Sequence, residues 1–266
     1  MAKLSPLVVI VGETASGKSS LAMQLARKYS GEIICADSRT IYKGMDIGTA
    51  KPSKKDREEM KHYLLDIIEP GERYSASQFK QDAVNAINDI TKRGKLPIMV
   101  GGTGLYIDAV IFDYGFSDGK QARNPTNSRH LSQDTLHKKN ELRQNTLVIG
   151  LDRSREEVKN NIEQRVEQMI QAGYIEEVKI LLTRYGKNNS ALSGIGYRTV
   201  VKYIEGELTL NEVKLELIKG DKSLAKRQRT WFRRNKNINW IKPNQAEAKV
   251  KYFLNVKEVP ARIYRK

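Results

Sequence analysis

An α/β fold, with a parallel sheet covered by helices on both faces, is predicted by two observations. Short apolar runs alternate with helical patterns along the 266-residue chain. The first of these runs also ends in a glycine-rich turn that opens directly into a helix.

Five runs read as strands: Leu7–Val11, 32–36, Leu96–Val100, Thr146–Leu151 and Ile238–Ile241. They are short and rich in residues that favour a buried, pleated surface. Helical patterns lie between them, strongest at 19–29, 77–92, Arg155–Gln171 and 222–234. No internal repeat is found. Residues 113–145 are polar and too long for an ordinary connection, which points to a functional or mobile segment. The reading divides the chain into a first core part (1–112), an insertion (113–145), a second core part with a basic helix (146–243) and a tail (244–266). The tail, with Val250, Phe253 and Leu254 as its apolar piece, is expected to be loosely held.

The turn after the first strand carries Gly12-x-x-x-x-Gly17-Lys18-Ser19, the G-x-x-x-x-G-K-[ST] pattern. A strand, a glycine-rich turn and a helix in that order aim backbone N–H groups and a helix dipole at an anion. Lys18 is expected to reach the terminal phosphates and the Ser19 hydroxyl to hold Mg²⁺. An ordinary glycine-rich turn has no need of Lys-Ser. The fold class is thus P-loop NTPase-like, and the obvious occupant of the loop is ATP.

The chain carries a formal net charge of +16, and its distribution is uneven. Residues 1–112 hold 16 Lys and Arg against 13 Asp and Glu, a net of +3; residues 113–266 hold 31 against 18, a net of +13. A basic half suggests a long polyanion, most economically a nucleic acid. A single cysteine, Cys35, excludes a disulfide framework and a multi-cysteine zinc module. No apolar run approaches membrane-spanning length and no signal-peptide pattern is present, so a cytoplasmic protein without membrane contact is expected.

In open α/β sheets ligands bind at the carboxyl ends of the strands. Two candidate sites fall there. Asp37, Ser38 and Arg39 follow the second strand; Asp37 could take a proton from a nucleophile or merely cap a turn. The third strand runs into Gly101-Gly102-Thr103-Gly104, where ATP-hydrolysing P-loop proteins usually present an Asp for Mg²⁺. The missing carboxylate weakens an ATPase reading. Farther on, residues 222–236 hold seven basic side chains (Lys222, Lys226, Arg227, Arg229, Arg233, Arg234, Lys236) and no acidic one, which favours contact with nucleic acid or diphosphate.

With these residues in hand the chain resembles the bacterial-type tRNA dimethylallyltransferases. The resemblance rests on GETASGKS (Gly12 to Ser19), ADSR (Ala36 to Arg39), IYKGMDIGTAKP (Ile41 to Pro52), YLLDI (Tyr63 to Ile67) and YSASQF (Tyr74 to Phe79). It continues through VGGTGLYI (Val100 to Ile107), GIGYR (Gly194 to Arg198) and AKRQRTWFR (Ala225 to Arg233). The phosphate loop is widely shared, but IGTAKP, GGTGLY and AKRQ-x-TWFR in this order are specific. The resemblance implies transfer of a dimethylallyl group from dimethylallyl diphosphate to the exocyclic N6 amine of the tRNA adenosine just 3′ of the anticodon.

On that resemblance the loop residues Gly12, Glu13, Thr14, Ala15, Ser16, Gly17, Lys18 and Ser19 grip a diphosphate with Mg²⁺, and Arg198 serves as a clamp on it. Asp37 matches the family's base and Thr103 the threonine that holds the reacting groups in register. Asp37, Ser38, Arg39, Thr40, Thr103, Arg227, Arg229 and Arg233 are implied tRNA contacts, with Arg229 or Arg233 also able to reach the diphosphate. The partners implied are the tRNA anticodon stem-loop and dimethylallyl diphosphate, and the family gives a monomer.

Three departures stand out. Thr40 replaces the glutamine of DSRQ. Glu13 replaces the proline of GPTASGK, placing a negative charge beside the diphosphate site that is expected to weaken binding slightly. Residues 113–145 are far shorter than the family's helical insertion, and no site is carried onto RNPTNSRH at 123–130. Two other readings share the loop: an isopentenyltransferase acting on free adenine nucleotides, and a tRNA-binding P-loop protein that has lost catalysis. A small-molecule kinase is disfavoured by the glycine-terminated third strand.

Overall fold

Leu7, Val9 and Val11 face one side of a sheet, Val8 and Ile10 face the other, and all five are fully buried. An apolar run without polar alternation is what a strand covered on both faces requires. The computed structural model describes residues 4–116, 135–137 and 141–255. Its strands in chain order are β1 (Leu7–Val11), β2 (Gly31–Cys35), β3 (His62–Tyr63), β4 (Leu96–Val100), β5 (Gly115–Phe116), β6 (Thr135–His137), β7 (Thr146–Leu151) and β8 (Ile238–Ile241). Six of them form one parallel sheet in the order β3-β2-β4-β1-β7-β8, while β5 and β6 pair antiparallel by themselves. The α/β parallel sheet is as the sequence predicts. Strand β2 begins and ends one residue earlier than expected, and the two-residue β3 is too short to leave a pattern.

The helices are α1 (Lys18–Lys28), α2 (Lys54–Glu59), α3 (Ala76–Lys92), α4 (Gly104–Ile111), α5 (Arg155–Gln171), α6 (Tyr174–Tyr185), α7 (Ile195–Ile204), α8 (Leu210–Phe232) and α9 (Ala246–Asn255). Helices α1 and α9 cover the Val8 and Ile10 face; residues of α3 to α8 pack with the opposite face. Helix α8 starts at Leu210, well before the basic stretch. Thr209 accepts from the Glu212 N–H and Glu212 reciprocates, a capping box that fixes this start. Residues 246–255 are not the loosely held tail expected from sequence: Ala246 and Val250 are fully buried, with Phe253 and Leu254 packed beside them. The rest of that tail, 256–266, and most of the insertion lie outside the described residues.

The strand order does the positioning. Strands β2, β4 and β1 are consecutive neighbours, and Val100 of β4 sits opposite Cys35 on one side and Ile10 on the other. The loops leaving these three strands therefore emerge level and side by side. Because β7 joins β1 on its other edge, the carboxyl end of β1 is a switch point in the sheet, the usual place for a ligand in such folds.

Candidate active site

The phosphate loop takes its shape from glycine. Gly12 and Gly17 have φ of 146° and 93°, and Ala15, with φ of 59°, also occupies the left-handed region. The turn closes through Ser16 N–H donating to the Glu13 carbonyl at 3.3 Å. Lys18 Nζ donates to the same carbonyl at 2.5 Å. The Ser16 hydroxyl is buried and has no partner. A buried hydroxyl left unpaired in an anion-binding turn is a group waiting for an acceptor.

Two later helices grip this loop. From α5, Arg165 Nη1 donates to Thr14 Oγ1 at 2.7 Å and Asn161 Nδ2 to the Ala15 carbonyl at 2.9 Å. Arg165 Nη2 bonds Asp221 Oδ2 of α8 at 2.6 Å, which fixes the guanidinium at the loop. From α8, Gln228 Oε1 accepts from Thr14 N–H at 2.6 Å, and its Nε2 donates to the Gly102 carbonyl at 3.1 Å.

The loops after β2 and β4 are bonded to each other. Thr103 N–H donates to the Ala36 carbonyl at 3.2 Å, and Thr103 Oγ1 accepts from Ser38 N–H at 2.9 Å. Gly101 permits this approach, since a Cβ there would lie 2.0 Å from the Ala36 carbonyl oxygen. Asp37 Oδ1 accepts from Arg39 N–H at 2.9 Å, so one oxygen does make the turn that sequence allowed. Thr40 is buried and bonds the Asp37 carbonyl at 3.3 Å. Arg39 donates to the Ala191 carbonyl at 2.5 Å, which pins it to the turn before α7.

Most of these residues line one cavity of about 860 Å³. Residues 14–20 line one wall, 37–40 and 101–103 another, and Arg165 and Arg227 a third. The Lys18 ammonium is lowered to about 8, chiefly by burial and in addition by Arg165, against the opposing pull of Asp37 and Glu13. Burial also raises the Asp37 carboxyl above its ordinary range, against the pull of the Arg39 N–H, Lys18, Arg39 and Arg165. A softened ammonium and a strengthened carboxylate base across one cavity is the pattern of a catalytic site.

Three arginines expected to contact anions, Arg198, Arg229 and Arg233, do not line this cavity. Arg198 is exposed on α7 and does not line the cavity. Arg233 pairs with Asp152 at 2.9 Å and lies over the Trp240 ring. Arg229 is bound to Glu13 through both its Nε and, at 2.8 Å, its Nη2. That pair also corrects the expectation for Glu13, whose charge is neutralised and does not stand free beside the loop. Lys222 likewise meets Glu163 at 3.0 Å. The basic stretch has no acid within itself, but other elements supply them.

Sequence reading missed Arg165, Asn161 and Gln228. The available signal was on α5, where Asn161 and Arg165 stand four apart beside the buried stripe of Val158, Ile162, Val166 and Met169. Gln228 lies within AKRQRTWFR, where the charged neighbours dominate the pattern.

For a metal, Ser19 is exposed at the start of α1 on the cavity wall. Among the described residues no group of three His, Cys, Asp or Glu could hold an ion. A Mg²⁺ ion keeps several waters and takes few protein ligands beside substrate phosphates, so one hydroxyl together with the unpaired Ser16 hydroxyl nearby fits that mode.

Comparison with known proteins places these features in company. A family model described as IPP transferase matches residues 40–142 and 122–235. The chain is 36% identical to the tRNA dimethylallyltransferase of Acetivibrio thermocellus, across 94% of this chain and 96% of that one. It is 40% identical to that of Anoxybacillus flavithermus, across 88% and 89%. Among solved structures, the tRNA delta(2)-isopentenylpyrophosphate transferase of Staphylococcus epidermidis superposes with a TM-score of 0.80 at 31% identity, covering 95% of this chain and 100% of that one. A eukaryotic dimethylallyltransferase acting on tRNA gives 0.71 at 25% identity, covering 86% and 70%.

Proposed function

The chain belongs to the IPP transferase family, and from that premise we propose that it is a tRNA dimethylallyltransferase. The reaction is transfer of a dimethylallyl group from dimethylallyl diphosphate to the N6 amine of the tRNA adenosine next to the anticodon on its 3′ side. One observation carries the reading: the phosphate loop and Asp37 face a single cavity, and β4 ends there in glycines with no carboxylate. A kinase moves the phosphoryl group. Here the diphosphate leaves and the five-carbon group moves.

The chemistry follows from the residues. The donor's diphosphate lies against the loop at residues 15–19, with Lys18 and Arg165 stabilising charge as it grows on the departing oxygen. An adenine amine is a weak nucleophile because its lone pair is delocalised into the ring. As the new C1–N6 bond forms and the C1–O bond breaks, its electron pair going to the diphosphate, the N6 proton passes to the Asp37 carboxylate. The raised pKa makes Asp37 a stronger base than an ordinary aspartate. Thr103 holds the Ser38 N–H, and through it the turn that aims Asp37. Mg²⁺ held by Ser19 would supply further charge to the leaving group.

Ser38, Arg39, Thr40 and Arg227 line the side of the cavity where the acceptor enters in this reading. The target adenosine must leave its stack to reach Asp37. The names of the relatives favour tRNA over free adenine nucleotides. The test is to offer labelled dimethylallyl diphosphate with Mg²⁺ to the protein and unmodified tRNA, with AMP and ATP as competing acceptors. Label in tRNA, located by nucleoside analysis at the adenosine 3′ of the anticodon, supports the proposal. Label only in the mononucleotide assigns the other acceptor.

A further inference from the structure

Glu13 is a carboxylate inside a loop built for an anion, and it is 8% exposed. A bare negative charge there would oppose the ligand that the loop exists to hold. Its two oxygens are taken by Arg229 in a two-bond fork, the strongest common geometry for such a pair. Neither side chain lines the cavity. The Glu13 carbonyl, in contrast, belongs to the loop's own bonding and accepts from both Lys18 Nζ and Ser16 N–H. The adjacent residue, Thr14, is held by Gln228, the neighbour of Arg229 on α8. Two consecutive loop residues are thus fastened to two consecutive helix residues, one by charge and one by a neutral hydrogen bond.

We propose that Arg229 is a positioning residue for the diphosphate donor, acting through Glu13, and not a contact for tRNA. Arg229 keeps the Glu13 carboxylate turned away from the donor and neutral in its field. The same pair sets the Glu13 carbonyl that anchors Lys18 and closes the turn at Ser16. The inference rests on the reading that this loop holds the donor's diphosphate.

A double-mutant cycle separates this from a merely structural role. The proteins are wild type, Glu13→Gln, Arg229→Met and the double variant. Donor KM and kcat are measured at saturating tRNA, with tRNA KM, melting temperature and affinity for inorganic diphosphate alongside. Arg229→Met leaves a bare carboxylate beside the donor and is expected to raise donor KM and weaken diphosphate binding by about tenfold. Glu13→Gln is expected to cost about threefold, because its removal leaves no stranded negative charge. The double variant should bind donor better than Arg229→Met alone, near the level of Glu13→Gln. The tRNA KM should stay within about twofold throughout, and any fall in kcat should follow the same order as the loss of donor affinity, because the Glu13 carbonyl also anchors Lys18.

A role in folding alone would lower the melting temperature of Arg229→Met and leave donor KM and diphosphate affinity at the wild-type level in all four proteins. That outcome overturns the proposal. So does a rise in tRNA KM for Arg229→Met with donor KM unchanged, which would make Arg229 a tRNA contact. A wild-type protein that binds diphosphate but transfers nothing would sink the enzymatic reading; the cycle in diphosphate affinity would still decide the pair.

Discussion

Thr14 and Gln228 stand 214 positions apart in the chain, and the Thr14 N–H donates to Gln228 Oε1 at 2.6 Å inside the protein. Gln228 Nε2 in turn donates to the Gly102 carbonyl at 3.1 Å. One side chain from α8 therefore spans the loops after β1 and β4, the two that carry the phosphate site and Thr103. Replacing it with leucine strands a donor and an acceptor in a tight space. The expected cost is about 1–3 kcal/mol of stability. Thermal unfolding should shift down by about 2–4 °C for each kcal/mol, and donor KM should rise with it.

Arg165 holds Thr14 with one nitrogen and Asp221 with another. A lysine retains the charge but has no planar fork, so it cannot keep both contacts in that geometry. Arg165→Lys is expected to raise donor KM by about tenfold, and Arg165→Ala to lower kcat as well, since charge on the leaving group goes unmet. Steady-state kinetics at saturating tRNA check both. An Arg165→Lys enzyme with unchanged donor KM would remove this residue from the diphosphate site.

The two shifted groups give a pH profile with a definite sign. Lys18 titrates at about 8 in the free protein, so it is charged below that and neutral above. Affinity for the donor should fall as pH rises through about 8. A bound diphosphate favours the ammonium and pushes its titration upward, so kcat should hold to higher pH than kcat/KM. On the acid side, burial raises Asp37, and kcat should begin to fall at a pH above the ordinary aspartate value of about 3.9. The profile of Asp37→Asn should lack that acid limb.

Of Arg227, Arg229 and Arg233, the three arginines of the basic stretch expected to contact tRNA, only Arg227 lines the cavity; Arg229 and Arg233 are paired with Glu13 and Asp152. Arg227→Gln is expected to weaken tRNA binding and to reduce the slope of log affinity against log salt by about one, the signature of one lost phosphate contact. Arg233→Gln should leave that slope unchanged. Filter binding across a salt series reads both.

Much of this was legible in the sequence because it is local. The phosphate loop is contiguous, and the five main strands announce themselves as short apolar runs, as does α5 by its amphipathic stripe. Asp37 and Thr103 could be placed together because both follow strands of one parallel sheet. What stayed hidden depends on residues meeting from distant parts of the chain. Arg165 and Gln228 carry no pattern of their own, and they reach the loop only once α5 and α8 pack beneath it. The pairing of Arg229 and Arg233 stayed hidden for the same reason. A run without acids reads as unpaired positive charge, yet its partners stand at positions 13 and 152.

The most direct test of the central claim is the single-turnover rate of transfer by Asp37→Asn, with donor and unmodified tRNA both saturating. Asparagine keeps the size and the turn but cannot accept the proton. The rate should fall by about 10²–10⁴-fold while donor affinity stays within about threefold of wild type. Transfer at the wild-type rate would contradict the account, because the N6 proton would then have another acceptor and Asp37 would be only the cap of a turn.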